Sequence, residues 1–240
     1  MDIARLTGER GATTPLAVAA ATTIVATVLS YALPEAYAAT GVGLWFLFAV
    51  FVLVLRRGDN ATIRRTGLSL AGLFEPETPI EPTHVVRAAL RALLVGTVVA
   101  LVVLPPFWAG YVFWYRPQTP FAPAAPPSLQ NDVLGQLLGV AFPEEAFFRG
   151  YLQSSLDAAW PRRTRVLGTP VGISIVVTSA IFAFGHLLTE PYPGRLAVFF
   201  PSLVFGFLRA REGGIGAAIV FHALCNLFAS YLGQSYGLGR

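Results

Sequence analysis

The sequence predicts an all-α, polytopic transmembrane helical bundle of about seven spans, with a broken or Pro-kinked helix at an acidic motif. Three observations predict it. Of 240 residues, 55% are hydrophobic and 12% are charged, about half the charged share of a soluble domain. The apolar residues gather in runs of bilayer-spanning length. All seventeen basic residues are arginines, scattered through short loops, so the net charge of +4 reads as membrane orientation and not as a nucleic-acid footprint. The single cysteine, Cys225, excludes an internal disulfide and a thiolate metal cluster.

A short polar lead with Arg5, Glu9 and Arg10 precedes the first run, Leu16 to Leu33, which is long enough to span. The basic lead and the small-x-small Ala36-Tyr37-Ala38 also fit a cleaved signal peptide; the length of the run and Glu9 favour a retained span. The second span, Val42 to Leu55, extends back to Tyr37 and stops at Arg56-Arg57. Prolines 76, 79 and 82 then bar a helix and imply an irregular acidic connector, with a short interfacial helix from Thr83. A third span runs from about Ala89 to Tyr115. Pro105-Pro106 within it implies a kink or break, and Trp108, Tyr111, Trp114 and Tyr115 form an aromatic belt at its exit. Arg116 to Ser128 is proline-rich and reads as an exposed loop. The remaining spans are Leu129 to about Ala159, Pro170 to Leu188, Leu196 to Leu208 and Ile215 to Leu232.

Thirteen arginines fall on one side of this topology: Arg5, Arg10, Arg56, Arg57, Arg64, Arg65, Arg87, Arg91, Arg162, Arg163, Arg165, Arg209 and Arg211. Arg116, Arg195 and Arg240 fall on the other, which places the N-terminus in the cytoplasm. The chain divides into N-terminal helices and loops, 1–128, and a core, 129–240, that holds the polar motifs.

Phe142-Pro-Glu-Glu-Ala-Phe-Phe-Arg-Gly-Tyr151 puts two carboxylates and an arginine inside an apolar segment. Charge is expensive there, so such residues point to function. Glu145 and Arg149 are spaced i, i+4 and share a helix face, where they can pair. Glu144 lies about 100° round the helix and is left free to act as a general base. Pro143 fits the first turn of a helix, so the segment is expected to break there and to set Glu144 near a helix N-terminus. His186 ends the next span, and His222 and Asn226 share one face of the last. These groups suffice to hydrolyse an amide without a covalent intermediate. Glu144 would activate a water, His186 would orient it or share its proton, and His222 with Asn226 would donate to the oxyanion. Upright helices from Pro170 and Ile215 would set His186 about 24 Å and His222 about 10 Å along their spans, an unequal depth for one site.

Glu144-Glu145-x-x-x-Arg149, Phe182-x-x-x-His186 and His222-x-x-x-Asn226, in that order, resemble the three motifs of the CPBP family of intramembrane glutamic endopeptidases, which includes CAAX prenyl-protein endopeptidases and bacterial relatives linked to bacteriocin processing and immunity. The resemblance covers about residues 129–232. It implies catalytic roles for Glu144, His186, His222 and Asn226, and structural support from Glu145, Arg149 and Phe182. It implies no cofactor and no metal, and a membrane-anchored or lipid-modified substrate reached from the lipid bilayer. The family branch and the arginine-only composition suggest a bacterial inner membrane. Two other readings use the same residues: a transporter or bacteriocin-immunity-type binding protein, and a zinc hydrolase with Glu144, His186 and His222 as ligands.

Overall fold

The computed structural model of the chain describes Ala4, Glu9 and residues 11–124 and 128–238. Arg5, Arg10 and Arg240 of the orientation count lie outside the described residues, as do positions 125–127 of the proline-rich connector. Among the described residues the chain is an all-α bundle with one small hairpin. α1 (Thr13–Ala32) ends at Leu33, whose extended backbone precedes Pro34, because the residue before a proline is pushed out of the helical region. α2 (Glu35–Leu55) packs back along α1, with Trp45 Nε1 donating to the Thr22 carbonyl at 3.0 Å. α3 (Asn60–Thr66) is short, capped by the Asp59 side chain accepting from the Thr62 N–H and closed by Gly67 at φ 72°.

α4 (Pro82–Tyr115) absorbs the expected Thr83 helix and runs through Pro105 and Pro106 as one helical element, without a break at the prolines. At 34 residues it is about 50 Å long and exceeds the hydrocarbon thickness. Leu90, Leu94, Leu101 and Val102 stay exposed, as befits a face turned to lipid. Gly96 lets the helix lie close on Val220.

α5 (residues 129–159) is continuous, and here the expected break is corrected. It alternates α-helical turns with two π-helical stretches, Gly135–Ala141 and Ala146–Gln153, and the residues at every junction are helical. Pro143 has no N–H to give the carbonyl of Gly139, four residues back. A widened π turn just before the proline accommodates it without ending the helix, so Glu144 lies mid-helix. α5 is also the centre of the bundle, touched by α1, α2 and α3 and by the helices that follow it. Residues 145–156 are therefore buried on every face, the pattern of a fully enclosed helix.

β1 (Thr164–Val166) and β2 (Thr169–Val171) pair antiparallel around Leu167 and Gly168, both at positive φ, the geometry of a tight two-residue hairpin. The hairpin delays α6 (Ile173–Thr189), expected from Pro170. A 3₁₀ turn (Pro193–Val198) leads into α7 (Phe199–Glu212), and α8 (Gly216–Ser235) closes the bundle against α4, α5 and α7. Among the described residues four helices are long and apolar enough to cross a membrane, α1, α2, α4 and α8, and α6 is a shorter apolar helix. The other expected spans coincide with α5, interrupted by its charges, and with α7, which has 14 residues.

Two connectors are more ordered than their composition suggests. The proline-rich loop after α4 is not free: Ala122 N–H donates to the Ser235 carbonyl at 2.9 Å and Ala124 N–H to Ser235 Oγ at 3.2 Å, which ties it to the end of α8. In the acidic connector Glu75 is buried and accepts from Arg64, Ser69 and Thr78. Arg209, counted above as a loop arginine, is the buried last turn of α7. It donates to the carbonyls of Arg65, Thr66 and Gly213 and to Ser154 Oγ, and so joins α3, α5 and α7.

Two outcomes follow from this packing. A methyl group on Gly43 of α2 would stand 2.3 Å from the Gly139 carbonyl oxygen. Gly43→Ala should therefore lower the melting temperature in detergent, although the same change on an open helix face stabilises by about 1 kcal/mol; an unchanged or higher temperature refutes the contact. The hydrogen bonds from Arg64, then Ser69 and Thr78, hold the Glu75 carboxyl down at about 2. Its contribution is thus complete above the ordinary glutamate range and is lost as pH falls towards 2. Melting curves of wild type and Glu75→Gln should differ at pH 7, draw together as the pH falls below the ordinary glutamate range and converge only near about pH 2; a constant gap would rule this out.

Candidate active site

Three helices supply the motif side chains. α5 carries Glu144, Glu145 and Arg149, α6 carries Phe182 and His186, and α8 carries His222 and Asn226. Glu145 is the hub. Its Oε1 accepts from Arg149 Nη1 at 3.0 Å and lies 2.9 Å from His222 Nδ1, with both carboxylate and guanidinium fully enclosed. An ionised carboxylate can only accept, so Nδ1 carries the proton. Nε2 is then the ring atom turned to Glu144 Oε2, 3.6 Å away, a separation too long for a hydrogen bond.

Arg149 is held from a fourth element. Its Nη2 donates to the Ser202 carbonyl at 3.1 Å and to Ser202 Oγ, both on α7. The guanidinium carbon lies 4.7 Å from the Phe182 ring centroid and 5.0 Å from that of Phe205, close enough for cation–π attraction. Phe205 also stacks on the His222 ring at 4.6 Å, with 13° between planes. Desolvating a guanidinium costs several kcal/mol unless its neighbours replace water, and here a carboxylate, a carbonyl, a hydroxyl and two ring faces do so around Nη1, Nη2 and the guanidinium plane, while Nε is left without a hydrogen-bond partner.

Phe182 joins the two histidines. Its ring centroid is 4.4 Å from that of His186 and 5.8 Å from that of His222. Both imidazoles meet one ring, so they stand at one site despite the unequal depth expected of upright spans; the start of α6 at Ile173 in place of Pro170 accounts for only about 4.5 Å of that difference. His186 Nδ1 stands 3.0 Å from the Phe182 carbonyl of its own helix; a carbonyl accepts, so Nδ1 is protonated and Nε2 of the neutral ring is the free acceptor. The imidazole at 3.6 Å from Glu144 is that of His222. Glu144 Oε2 is buried without a hydrogen-bond partner, whereas its side chain retains 14% exposure. Asn226 Nδ2 donates to Gln136 Oε1 at 2.8 Å. Among the described residues, no group of three His, Cys, Asp or Glu side chains has the arrangement to hold a metal ion. Cys225 is buried and free.

Sequence reading missed four of these contacts. Ser202 and Phe205 sit in an apolar helix without a motif, although Ser202 breaks the run after Pro201. Gln136 is an uncharged amide two turns before the acidic pair. Glu145 was read as a partner of Arg149 alone, and its bond to His222 ties it to the site as well.

If the pair carries the fold, Arg149→Ala leaves Glu145 buried beside nothing positive but His222. That loss should cost about 3–5 kcal/mol and reduce the monodisperse fraction on size exclusion. The double change Glu145→Gln with Arg149→Met should recover much of the yield, and an Arg149→Ala protein as stable as wild type would contradict this account.

Residues 127–228 match the family described as type II CAAX prenyl endopeptidase Rce1-like. No curated protein and no solved structure matches the chain.

Proposed function

We propose that this membrane protein, whose residues 127–228 match the type II CAAX prenyl endopeptidase Rce1-like family, is an intramembrane endopeptidase that hydrolyses one peptide bond of a membrane-anchored, lipid-modified substrate with water activated by Glu144. The observation that carries the reading is the free Glu144 oxygen, buried without a partner, beside an imidazole that Glu145 holds in place.

In this mechanism Glu144 takes a proton from water as the oxygen attacks the scissile carbonyl, and the His186 Nε2 lone pair accepts the water's other hydrogen. The developing oxyanion is met by an Asn226 N–H and by His222 Nε2–H, in the manner of an oxyanion hole. His222 then carries a proton on each nitrogen, and its charge and that of Arg149 balance Glu144 and Glu145. Collapse breaks the C–N bond, and Glu144 returns its proton to the leaving amine. Glu145, Arg149 and Phe182 hold the geometry. The site sits among apolar helices, which suits a substrate delivered through the bilayer. The thirteen-to-three arginine asymmetry supports a cytoplasmic N-terminus in a bacterial inner membrane.

An internally quenched farnesyl-cysteine peptide offered to the purified protein in detergent tests the reading. Wild type should cleave it with and without a chelator, and Glu144→Gln should fold normally yet lose about 10²–10⁴-fold in rate. Unchanged cleavage by that variant would sink the glutamate mechanism. Loss with chelator would favour zinc, and absence of any cleavage would favour transport or immunity-type binding.

A further inference from the structure

Gln136 belongs to none of the sequence motifs, yet it is the side chain that holds Asn226, through Oε1 at 2.8 Å from Nδ2. Its position depends on the first π stretch of α5, Gly135–Ala141. Nine residues of regular α-helix would turn Gln136 about 180° away from Glu145. A π turn absorbs one extra residue and removes about 100° of that rotation, which leaves Gln136 on the side of α5 that meets α8. The same helix thus touches α8 twice, at His222 through the acidic pair and at Asn226 through Gln136.

We propose that Gln136 is a positioning residue which sets the end of the Asn226 carboxamide that faces the reacting carbonyl. The proposal rests on the hydrolase reading above and extends it. An asparagine amide has a donor end and an acceptor end that are nearly the same shape. With one Nδ2 hydrogen given to Gln136 Oε1, the second remains for an oxyanion. Rotated by a half turn with Gln136 unmoved, the amide would set Oδ1 against Gln136 Oε1, two acceptors without a shared hydrogen, and would present the repelling end to developing negative charge; an ionised carboxylate at 136, which can only accept, removes the alternative in which both amides turn. Gln136 therefore acts on the transition state through Asn226 and makes no demand on substrate binding.

The test uses the farnesyl-cysteine peptide with Gln136→Met, Gln136→Glu, and Gln136→Met combined with Asn226→Ala. Gln136→Met keeps the length and removes the acceptor; it should lower kcat about 10–100-fold with KM little changed, short of the loss typical of removing an oxyanion donor. Gln136→Glu keeps an acceptor and should stay within about threefold of wild type. In the Asn226→Ala background the Met substitution should change kcat by less than about twofold, since a residue acting through another loses its effect when that other is removed. Wild-type kcat in Gln136→Met, equal losses in the Met and Glu variants, or an undiminished Met effect without Asn226 would each overturn the proposal. Gln136→Leu replaces the Met variant if the latter melts abnormally, and failure of both to fold would reduce Gln136 to packing and overturn it too. No cleavage by wild type, or full activity in Glu144→Gln, would instead overturn the hydrolase reading, whatever the Gln136 variants do.

Discussion

Burying Arg149 and Glu145 at zero exposure constrains the whole bundle. Neither group can be taken from water without replacement partners, and those partners come from three further helices: Ser202 and Phe205 on α7, Phe182 on α6 and His222 on α8. Each partner fixes the height and rotation of the helix that bears it. A mostly apolar bundle has little else to specify register, because lipid tails are as apolar as leucine and helices gain little by choosing one neighbour over another. The ion pair thus sets the arrangement in which Glu144 faces the His222 ring.

The backbone of α5 serves the same end. An uninterrupted α-helix would turn Gln136 away from the acidic pair, whereas the first π stretch, Gly135–Ala141, changes the rotation between them. Pro143 helps to make this possible, because a residue that cannot donate an N–H lowers the cost of leaving regular α geometry. The freed region around Gly139 is then close to α2, where Gly43 leaves room for its carbonyl.

Order continues past the apolar core through hydrogen bonds that bulk hydropathy does not register. Arg209 collects carbonyls from the α3 end and from the turn after α7, and Glu75 gathers Arg64, Ser69 and Thr78. Both clasps close on elements that contact α5. The Arg209 clasp joins residues far apart in sequence and the Glu75 clasp is made of side-chain hydrogen bonds within its own connector, and composition registers neither.

The sequence by itself determined that this is an all-α membrane protein, since long apolar runs and rare charges have one stable solution in lipid: helices that satisfy their own backbone. It also singled out Glu144, Glu145, Arg149, Phe182, His186, His222 and Asn226, because polar groups in apolar segments stand out at known spacing, and the match at residues 127–228 agrees with the family those motifs resemble. Only the tertiary structure decided what touches what. Periodicity along α5 assumes 100° per residue, so it could not foresee a π register that carries the helix through Pro143 and turns Gln136 towards Asn226. Nor could spacing within one helix reveal that Glu145 binds His222, that Ser202 completes Arg149, or that one phenylalanine ring brings His186 and His222 to the same level. Those contacts join helices far apart in the chain, and packing around a buried charge, not local propensity, selects them.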